Sequence, residues 1–198
     1  MRILVKRTAV AASITAALAM STSMSSLASD GTITFTGAVT ASTCTVKVNN
    51  AGTGDGTVTL PTVDTSALTN LAGKTTAAGT FFSMDLSACT AAHDIGSPVA
   101  DAVGVQVYFE AGPNVNALTG GLINTVTGSN VEVNLYTATD ASVVGAQVKP
   151  GTNLQAAVQD ITAPTSQWFY AGYSTAGAAV AATAGAVSTS VTYSLVYN

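Results

Sequence analysis

The sequence has few charged residues and a single histidine, which leaves little material for a catalytic site. Only 8% of its 198 residues are charged. A nucleophile triad needs a histidine base held by a carboxylate. The histidine, His93, is followed by Asp94, but neighbours in sequence do not make a catalytic dyad, and we interpret both as solvated loop residues. The acidic residues are scattered singly, whereas glycoside cleavage needs two carboxylates that converge. The sequence therefore predicts no catalytic residues.

Ligands for a metal or a cofactor are equally scarce. There are two cysteines, Cys44 and Cys89, and a metal site needs more ligands than two distant cysteines and one histidine. The glycine-rich run at residues 52–56 is interpreted as a turn, because one copy lacks the oxygen ligands that calcium takes. No Lys-Ser/Thr pair and no helical pattern follow it, as a phosphate loop would require. We expect no metal and no cofactor.

The first 28 residues have the pattern of a secretory signal peptide. Three basic residues precede an apolar run at residues 9–20, and Ser26-Leu27-Ala28 offers small residues at the positions that a signal peptidase reads. The run is short and alanine-rich for a membrane span, and nothing later reaches about 18 consecutive apolar residues. Cleavage after Ala28 is predicted, and no membrane insertion is expected.

Removal of this leader would leave 170 residues, enough for one domain with a hydrophobic core. It would leave three lysines against ten acidic residues, a formal charge of −7. Such a surface repels phosphate backbones and anionic lipid headgroups, so nucleic-acid binding is not expected. In an oxidising compartment, two cysteines predict a disulfide between Cys44 and Cys89.

Short stretches of alternating apolar and polar residues are abundant, and Gly, Asn, Asp and Pro separate them. Such alternation is typical of half-buried strands. It occurs in residues 31–39, 44–48, 57–60, 82–89, 103–109, 131–135, 169–173 and 191–197. Residues 64–73 are compatible with a helical turn that Asp64 caps, and residues 155–159 with at most one more turn. The pattern predicts a single all-β sandwich domain.

Three patterns, in a fixed order along the chain, carry a resemblance to a known family. The first is Ile33-x-Phe35-x-Gly37-x-Val39, followed by Cys44. The second is Phe82-x-Met84-x-Leu86-x-x-Cys89. The third is Phe169-x-Ala171-x-Tyr173 followed by Tyr193-x-Leu195-x-Tyr197-Asn198, with Tyr197 penultimate and Gly185 fourteenth from the C-terminus. Together they resemble the extension, the second-cysteine strand and the closing segment of chaperone–usher pilins, of the type 1 fimbrial major-subunit kind.

This resemblance implies an incomplete immunoglobulin-like β-sandwich that lacks its last strand and carries an N-terminal donor-strand extension. The expected divisions are a signal peptide (1–28), the extension (29–40) and the sandwich domain (41–198). Ile33, Phe35 and Val39 would fill the groove of a neighbouring subunit, with Gly37 where that groove is shallow. The groove wall that contacts a chaperone or the next subunit would be formed by Val191, Tyr193, Leu195, Tyr197 and Asn198, with Gly185 as the family's motif glycine.

The resemblance also implies partners and a location. They are a periplasmic pilus chaperone, an outer-membrane usher, and other copies of this chain and related pilins in a cell-surface fimbrium that supports adhesion. The length suits a shaft subunit, since tip adhesins usually carry a further receptor-binding domain. The alternative is a self-sufficient secreted β-sandwich that binds carbohydrate, with Trp168 partly outside as a surface on which a sugar stacks.

Overall fold

The computed structural model describes residues 43–51, 54–68, 78–90, 104–152, 156–160, 163–175 and 181–197. The predicted signal peptide, the predicted extension with its four groove-filling positions, the His93-Asp94 pair and Asn198 lie outside these residues. The described elements are a 3₁₀ turn, Thr65–Leu68, and the strands β1 Thr43–Val48, β2 Gly79–Thr90, β3 Gly104–Phe109, β4 Val131–Ala138, β5 Val144–Val148, β6 Gln159–Asp160, β7 Thr165–Thr175 and β8 Tyr193–Tyr197.

The strands form two antiparallel sheets. One has five strands in the order β1-β2-β7-β4-β5, and the other has three in the order β6-β3-β8. The long strand β7 lies between β2 and β4, with Phe169 opposite Phe82 on one side and Ala171 opposite Leu135 on the other. The predicted all-β sandwich is confirmed.

The core lies between the sheets and is filled by alternate residues of their strands, as the period of two requires. Phe169 of β7 is fully buried, and its ring contacts those of Phe82 and Phe109 at centroid distances of 5.5 and 5.1 Å. Other buried apolar residues at alternate positions of these strands are Met84, Leu86, Val105, Val107, Val131, Val133, Leu135 and Ala171. The predicted inward faces of β2, β3, β4 and β7 are therefore confirmed.

One buried polar side chain, Gln167 of β7, joins the two sheets. Its Oε1 atom accepts a hydrogen bond from the main-chain N–H of Val107 at 3.0 Å, and its Nε2 atom donates to the carbonyl of Ala157 at 2.7 Å. A buried amide without such partners would be costly. Gln167 thus fixes the position of β3 against β7, and the sequence pattern did not identify it.

The predicted disulfide between Cys44 and Cys89 is confirmed. It links β1 to the end of β2, where the register of the two strands shifts between Thr43 and Thr45. Both cysteines pack against a small second cluster that contains Leu86 and Val105, with Leu195 and Tyr197 beside them. The disulfide therefore links β1 to β2 beside this second cluster.

The predicted helical turn after Asp64 is present as a single 3₁₀ turn. The main-chain N–H of Ser66 donates to Asp64 Oδ1 at 2.8 Å, the bond expected of an N-terminal cap. The Ser66 side chain and main chain both hydrogen-bond this carboxylate, which lowers the pKa of Asp64 below its ordinary value. Leu68 at the end of the turn is buried.

Two expectations for short segments are wrong. Residues 155–159 were expected to form at most a helical turn, but Gln159 is in β6 and pairs with Val105. Residues 57–60 were expected to be a strand, yet they pair with no strand among those described. The short strand β5, which pairs with β4, was not predicted.

Candidate functional site

An open cleft of about 720 Å³ lies over one side of the core. Two extended segments border it, and we call them the first wall (residues 54–60) and the second wall (residues 187–193, which run into β8). Its floor is apolar and consists of Val48, Phe82, Met84, Phe109, Leu122, Val133, Leu135, Ala171 and Tyr173. The cleft thus leads from solvent to the main core of the sandwich.

The side chains of the second wall alternate as those of a strand do. Val187, Thr189 and Val191 are half-buried and line the cleft. Residues 188, 190 and 192 are exposed, although Ser188 and Ser190 also border the cleft. Tyr193 continues the half-buried series into β8. The wall is therefore an extended segment with one face turned to the cleft.

The main chain of the second wall is hydrogen-bonded on one side. The carbonyls of Ser188 and Thr192 accept hydrogen bonds from the N–H groups of Thr125 and Glu110, at 2.8 and 2.9 Å. Within the described part of the chain, the main-chain groups of Val187, Thr189 and Val191 make no hydrogen bond. Successive residues of an extended chain point these groups to opposite sides. The second wall therefore presents a free edge toward the cleft.

The first wall lies on the other side of the cleft and also lacks a strand partner. Val58 and Leu60 are half-buried and pack against the core. The Thr59 carbonyl accepts a hydrogen bond from Thr80 Oγ1 at 2.8 Å, but no ladder forms among the described residues. Residues 57–60 thus alternate as expected of a strand but lack the expected pairing. The two walls therefore border the apolar cleft without a strand between them.

The two walls meet at Tyr193. Its hydroxyl donates to the carbonyl of Gly54 at 2.8 Å. A Cβ atom at position 54 would lie 2.9 Å from the tyrosine oxygen, so the absence of a side chain at Gly54 permits this approach. Burial raises the pKa of Tyr193 above its ordinary value, and the charge of Asp55 raises it further. The hydroxyl is thus held in the neutral, hydrogen-donating form.

One buried polar atom of the cleft has no partner. The Oγ1 atom of Thr189 is buried and makes no hydrogen bond. The other two such atoms in the described residues belong to Asn134 and Tyr136, which do not line the cleft. Buried hydroxyls normally have a hydrogen-bond partner. A polar group added beside Thr189 would therefore satisfy its hydroxyl.

The structure places the expected wall residues in two groups. Val191 and Tyr193 line the cleft. Leu195 and Tyr197 form the second group and pack against the cluster beside the disulfide. The motif glycine, Gly185, is exposed and lies close to Ser129. The first wall and Thr189 were not identified as groove residues. The alternation at residues 57–60 was the available signal for the first wall. It predicted a strand, but it could not show that this strand would have no pairing partner.

The described residues offer little for other kinds of site. No group of three or more His, Cys, Asp and Glu side chains lies close enough together there to hold a metal ion. Among these same residues, no helix has the length and apolar character needed to cross a membrane. Trp168 lies half-buried in β7, opposite Ser83 and Ala138 of the neighbouring strands.

Two proteins of known name are similar to the chain over most of its length. The major fimbrial subunit SMF-1 of Stenotrophomonas maltophilia (strain K279a) is 34% identical over 185 residues, which cover 86% of this chain and 94% of that protein. The F17 fimbrial protein of Escherichia coli is 32% identical over 182 residues, which cover 91% and 94% of the two. No model of a protein family matches the chain.

Solved structures agree with the fold. A chain from a chaperone–usher pilus aligns with a TM-score of 0.55 at 20% identity, covering 86% of this chain and 96% of its own. The P pilus rod subunit PapA aligns with a TM-score of 0.51 at 21% identity, covering 78% and 99%. At these identities the likeness concerns the fold alone.

Proposed function

Because the chain belongs to the family of fimbrial subunits, we propose that it is a shaft subunit of a chaperone–usher pilus that polymerises by donor-strand exchange. The observation that carries this proposal is the cleft between two walls with no ladder between them. Its apolar floor and free main-chain edge fit an added strand better than a small molecule. The chain is a structural subunit of the cell-surface fimbrium and not an enzyme.

A free subunit with this cleft would be prone to aggregation. An edge with unpaired N–H and C=O groups is a template for pairing with another chain. An added strand would pair its main chain with the free edges and place its alternate side chains in the apolar cleft. It would thus satisfy the main-chain groups and cover the apolar floor. The subunit thus needs a strand from another molecule.

The strand that fits is the extension of a second copy of the chain. Residues 29–40 carry Ile33, Phe35, Gly37 and Val39 at alternate positions, and the cleft offers an apolar floor. A contact from the extension of one subunit to the groove of the next is head-to-tail and generates a fibre. Related pilins with such an extension would fit the same groove.

Before assembly, a periplasmic chaperone would lend the missing strand, and an outer-membrane usher would catalyse the exchange. Family membership and the exposed groove support both roles. Export would begin with the signal peptide at residues 1–28, and the finished fibre would support cell adhesion. The carbohydrate-binding alternative receives no support from the relatives or from the half-buried position of Trp168.

Replacement of Phe35 tests the assignment of the extension. Phe35→Asp places a charge where an apolar side chain must enter the cleft, and burial of an unpaired charge is strongly unfavourable. We expect cells with this variant to lack filaments in electron micrographs while the subunit still binds its chaperone.

The matched control is Thr34→Asp, which adds the same charge on the other face of the extension. It is expected to leave filament formation largely intact. Normal filaments from the Phe35→Asp variant would overturn the proposal, and loss of chaperone binding would place Phe35 in the core of its own domain.

A further inference from the structure

The second wall is hydrogen-bonded on its outer side by two kinds of donor. The carbonyls of Ser188 and Thr192 accept hydrogen bonds from main-chain N–H groups. The carbonyls of Ser190 and of Ala186, just before the wall, accept hydrogen bonds from asparagine side chains. Four alternate carbonyls are therefore satisfied, and side-chain amides supply the donors for two of them.

The two asparagines bind the wall in different ways. Asn114 Nδ2 donates to the carbonyl of Ser190 at 3.3 Å and to Ser190 Oγ at 3.1 Å. Asn124 is bonded at both ends of its amide, since Nδ2 donates to the Ala186 carbonyl at 2.9 Å and Oδ1 accepts from the Ser188 N–H at 2.9 Å. A side-chain amide carries an N–H donor and a carbonyl acceptor, as a peptide group does. Asn124 thus pairs with the wall as a strand residue would.

A small hairpin places these asparagines beside the wall. The N–H of Ile123 donates to the carbonyl of Asn114 at 2.7 Å, and Val115 pairs with Leu122. Leu122 in turn exchanges main-chain hydrogen bonds of 2.8 and 3.0 Å with Val133 of β4. The asparagines are therefore carried by a support that is itself fixed to the five-stranded sheet.

The cleft side of the wall has no comparable support. The main-chain groups of Val187, Thr189 and Val191 make no hydrogen bond within the described part of the chain. Ordering a backbone segment costs conformational entropy at every residue. If the empty wall were loose, this cost would be incurred when a strand binds, and binding would weaken accordingly.

Resting on the donor-strand function proposed above, we propose that Asn114 and Asn124 are positioning residues that hold the second wall extended while the cleft is empty. Neither side chain lines the cleft, so neither contacts the added strand. Their effect is to keep the free edge in the conformation that pairs with a strand, whether a chaperone or another subunit supplies it.

Loss of these hydrogen bonds should slow the capture of a strand more than its release. Without them, only a fraction of the empty subunits has an extended wall, and capture falls in proportion to that fraction. Once a strand is in place, its main chain bonds the cleft side of the wall and holds it extended. Release therefore begins from an ordered wall with or without the asparagines.

Asn114→Ala and Asn124→Ala test the proposal in the full chain, expressed in cells that assemble filaments. Filaments are sheared from the cells at intervals after a pulse of expression and quantified against total subunit, which measures capture. Dissociation of isolated filaments in denaturant measures release. We expect each variant to slow filament growth at least about threefold, since a typical hydrogen bond makes a modest net contribution, and to leave the dissociation rate unchanged.

Asn116→Ala is the matched control. Asn116 lies in the same hairpin and, like Asn124, is half-buried and accepts a hydrogen bond from the N–H two residues further on. Its Nδ2 atom, however, donates to Glu132 Oε1 and not to the wall. We expect this variant to assemble at the normal rate. Equal slowing by Asn116→Ala would indicate a general loss of stability and overturn the assignment.

Amide hydrogen exchange of the unassembled full chain gives a second readout. In Asn124→Ala we expect faster exchange confined to residues 181–192, because the Ser188 N–H loses its acceptor and the Ala186 carbonyl loses its donor. Asn114→Ala removes only the bonds to Ser190 and is the milder variant if Asn124→Ala does not fold. Unchanged exchange in the wall of both variants would overturn the proposal.

The outcomes separate this proposal from the one on which it rests. Normal filament growth in both variants would overturn the role of the asparagines and leave donor-strand exchange intact. If the unchanged chain were exported as a folded monomer and formed no filaments, donor-strand exchange itself would be overturned. Slow growth with normal dissociation, in the two wall-binding variants alone, would support the positioning role.

Discussion

Strand β7 and the second wall both alternate core-facing and outward-facing residues, but the main chain of β7 is hydrogen-bonded on both sides and that of the second wall on one side. In β7, Phe169 and Ala171 face the core, and the main chain pairs with β2 on one side and β4 on the other. In the second wall, Val187 and Val191 also face the core, yet no strand pairs with the cleft side of the described segment. Alternation thus reports which side chains are buried, but not whether the main chain has a partner.

The largest expected effect is a difference in stability between substitutions in β7 and in the second wall. Phe169→Ala removes a fully buried ring that contacts Phe82 and Phe109, and we expect the free energy of unfolding to fall by about 3–5 kcal/mol. Val191→Ala removes two methyl groups from a half-buried side chain, and we expect a loss of about 1 kcal/mol. Denaturant unfolding followed by the fluorescence of Trp168 measures both, and equal losses would contradict the comparison.

Much of the fold could be predicted from alternation because buried strands impose it directly. Phe82, Met84 and Leu86 alternate along β2, and Val131, Val133 and Leu135 alternate along β4. The inward faces of both strands were therefore identifiable from the sequence. The disulfide followed from cysteine count and compartment. These features depend on local sequence or on the chemistry of single residue types.

The remaining elements depend on neighbours that a single sequence does not reveal. Residues 57–60 alternate like a strand, but a strand also requires an adjacent main chain. β5 has small or polar residues between Val144 and Val148, so an edge strand of this kind leaves little pattern. β6 is two residues long and exists because Gln159 pairs with Val105. The buried Thr189 hydroxyl, which has no hydrogen-bond partner, likewise leaves no signal in the alternation of the sequence.

A smaller effect is expected where the two walls touch. Tyr193→Phe removes the hydrogen bond to the Gly54 carbonyl, and we expect a loss of about 1 kcal/mol in the free energy of unfolding at neutral pH. Tyr173→Phe is the matched control, since Tyr173 also lines the cleft but makes no hydrogen bond to the first wall among the described residues. Equal losses in the two variants would contradict a role for the wall-to-wall bond.

The pH dependence of the same contact has a defined sign. Burial and the charge of Asp55 raise the pKa of Tyr193 above the ordinary tyrosine value. The stability that the neutral hydroxyl contributes is therefore fully present below about pH 10 and is lost as the pH rises through the raised pKa. Tyr193→Phe should unfold with a weaker alkaline dependence than the unchanged chain.

The central claim is that the cleft is incomplete until the extension of another copy fills it. The most direct measurement is the unfolding temperature of the chain without residues 1–40, refolded with and without a synthetic peptide of residues 29–41. A peptide with Phe35→Asp serves as the control. We expect a cooperative transition whose midpoint rises strongly with the unchanged peptide and not with the control. An unfolding temperature that is high and the same in all three samples would contradict the account.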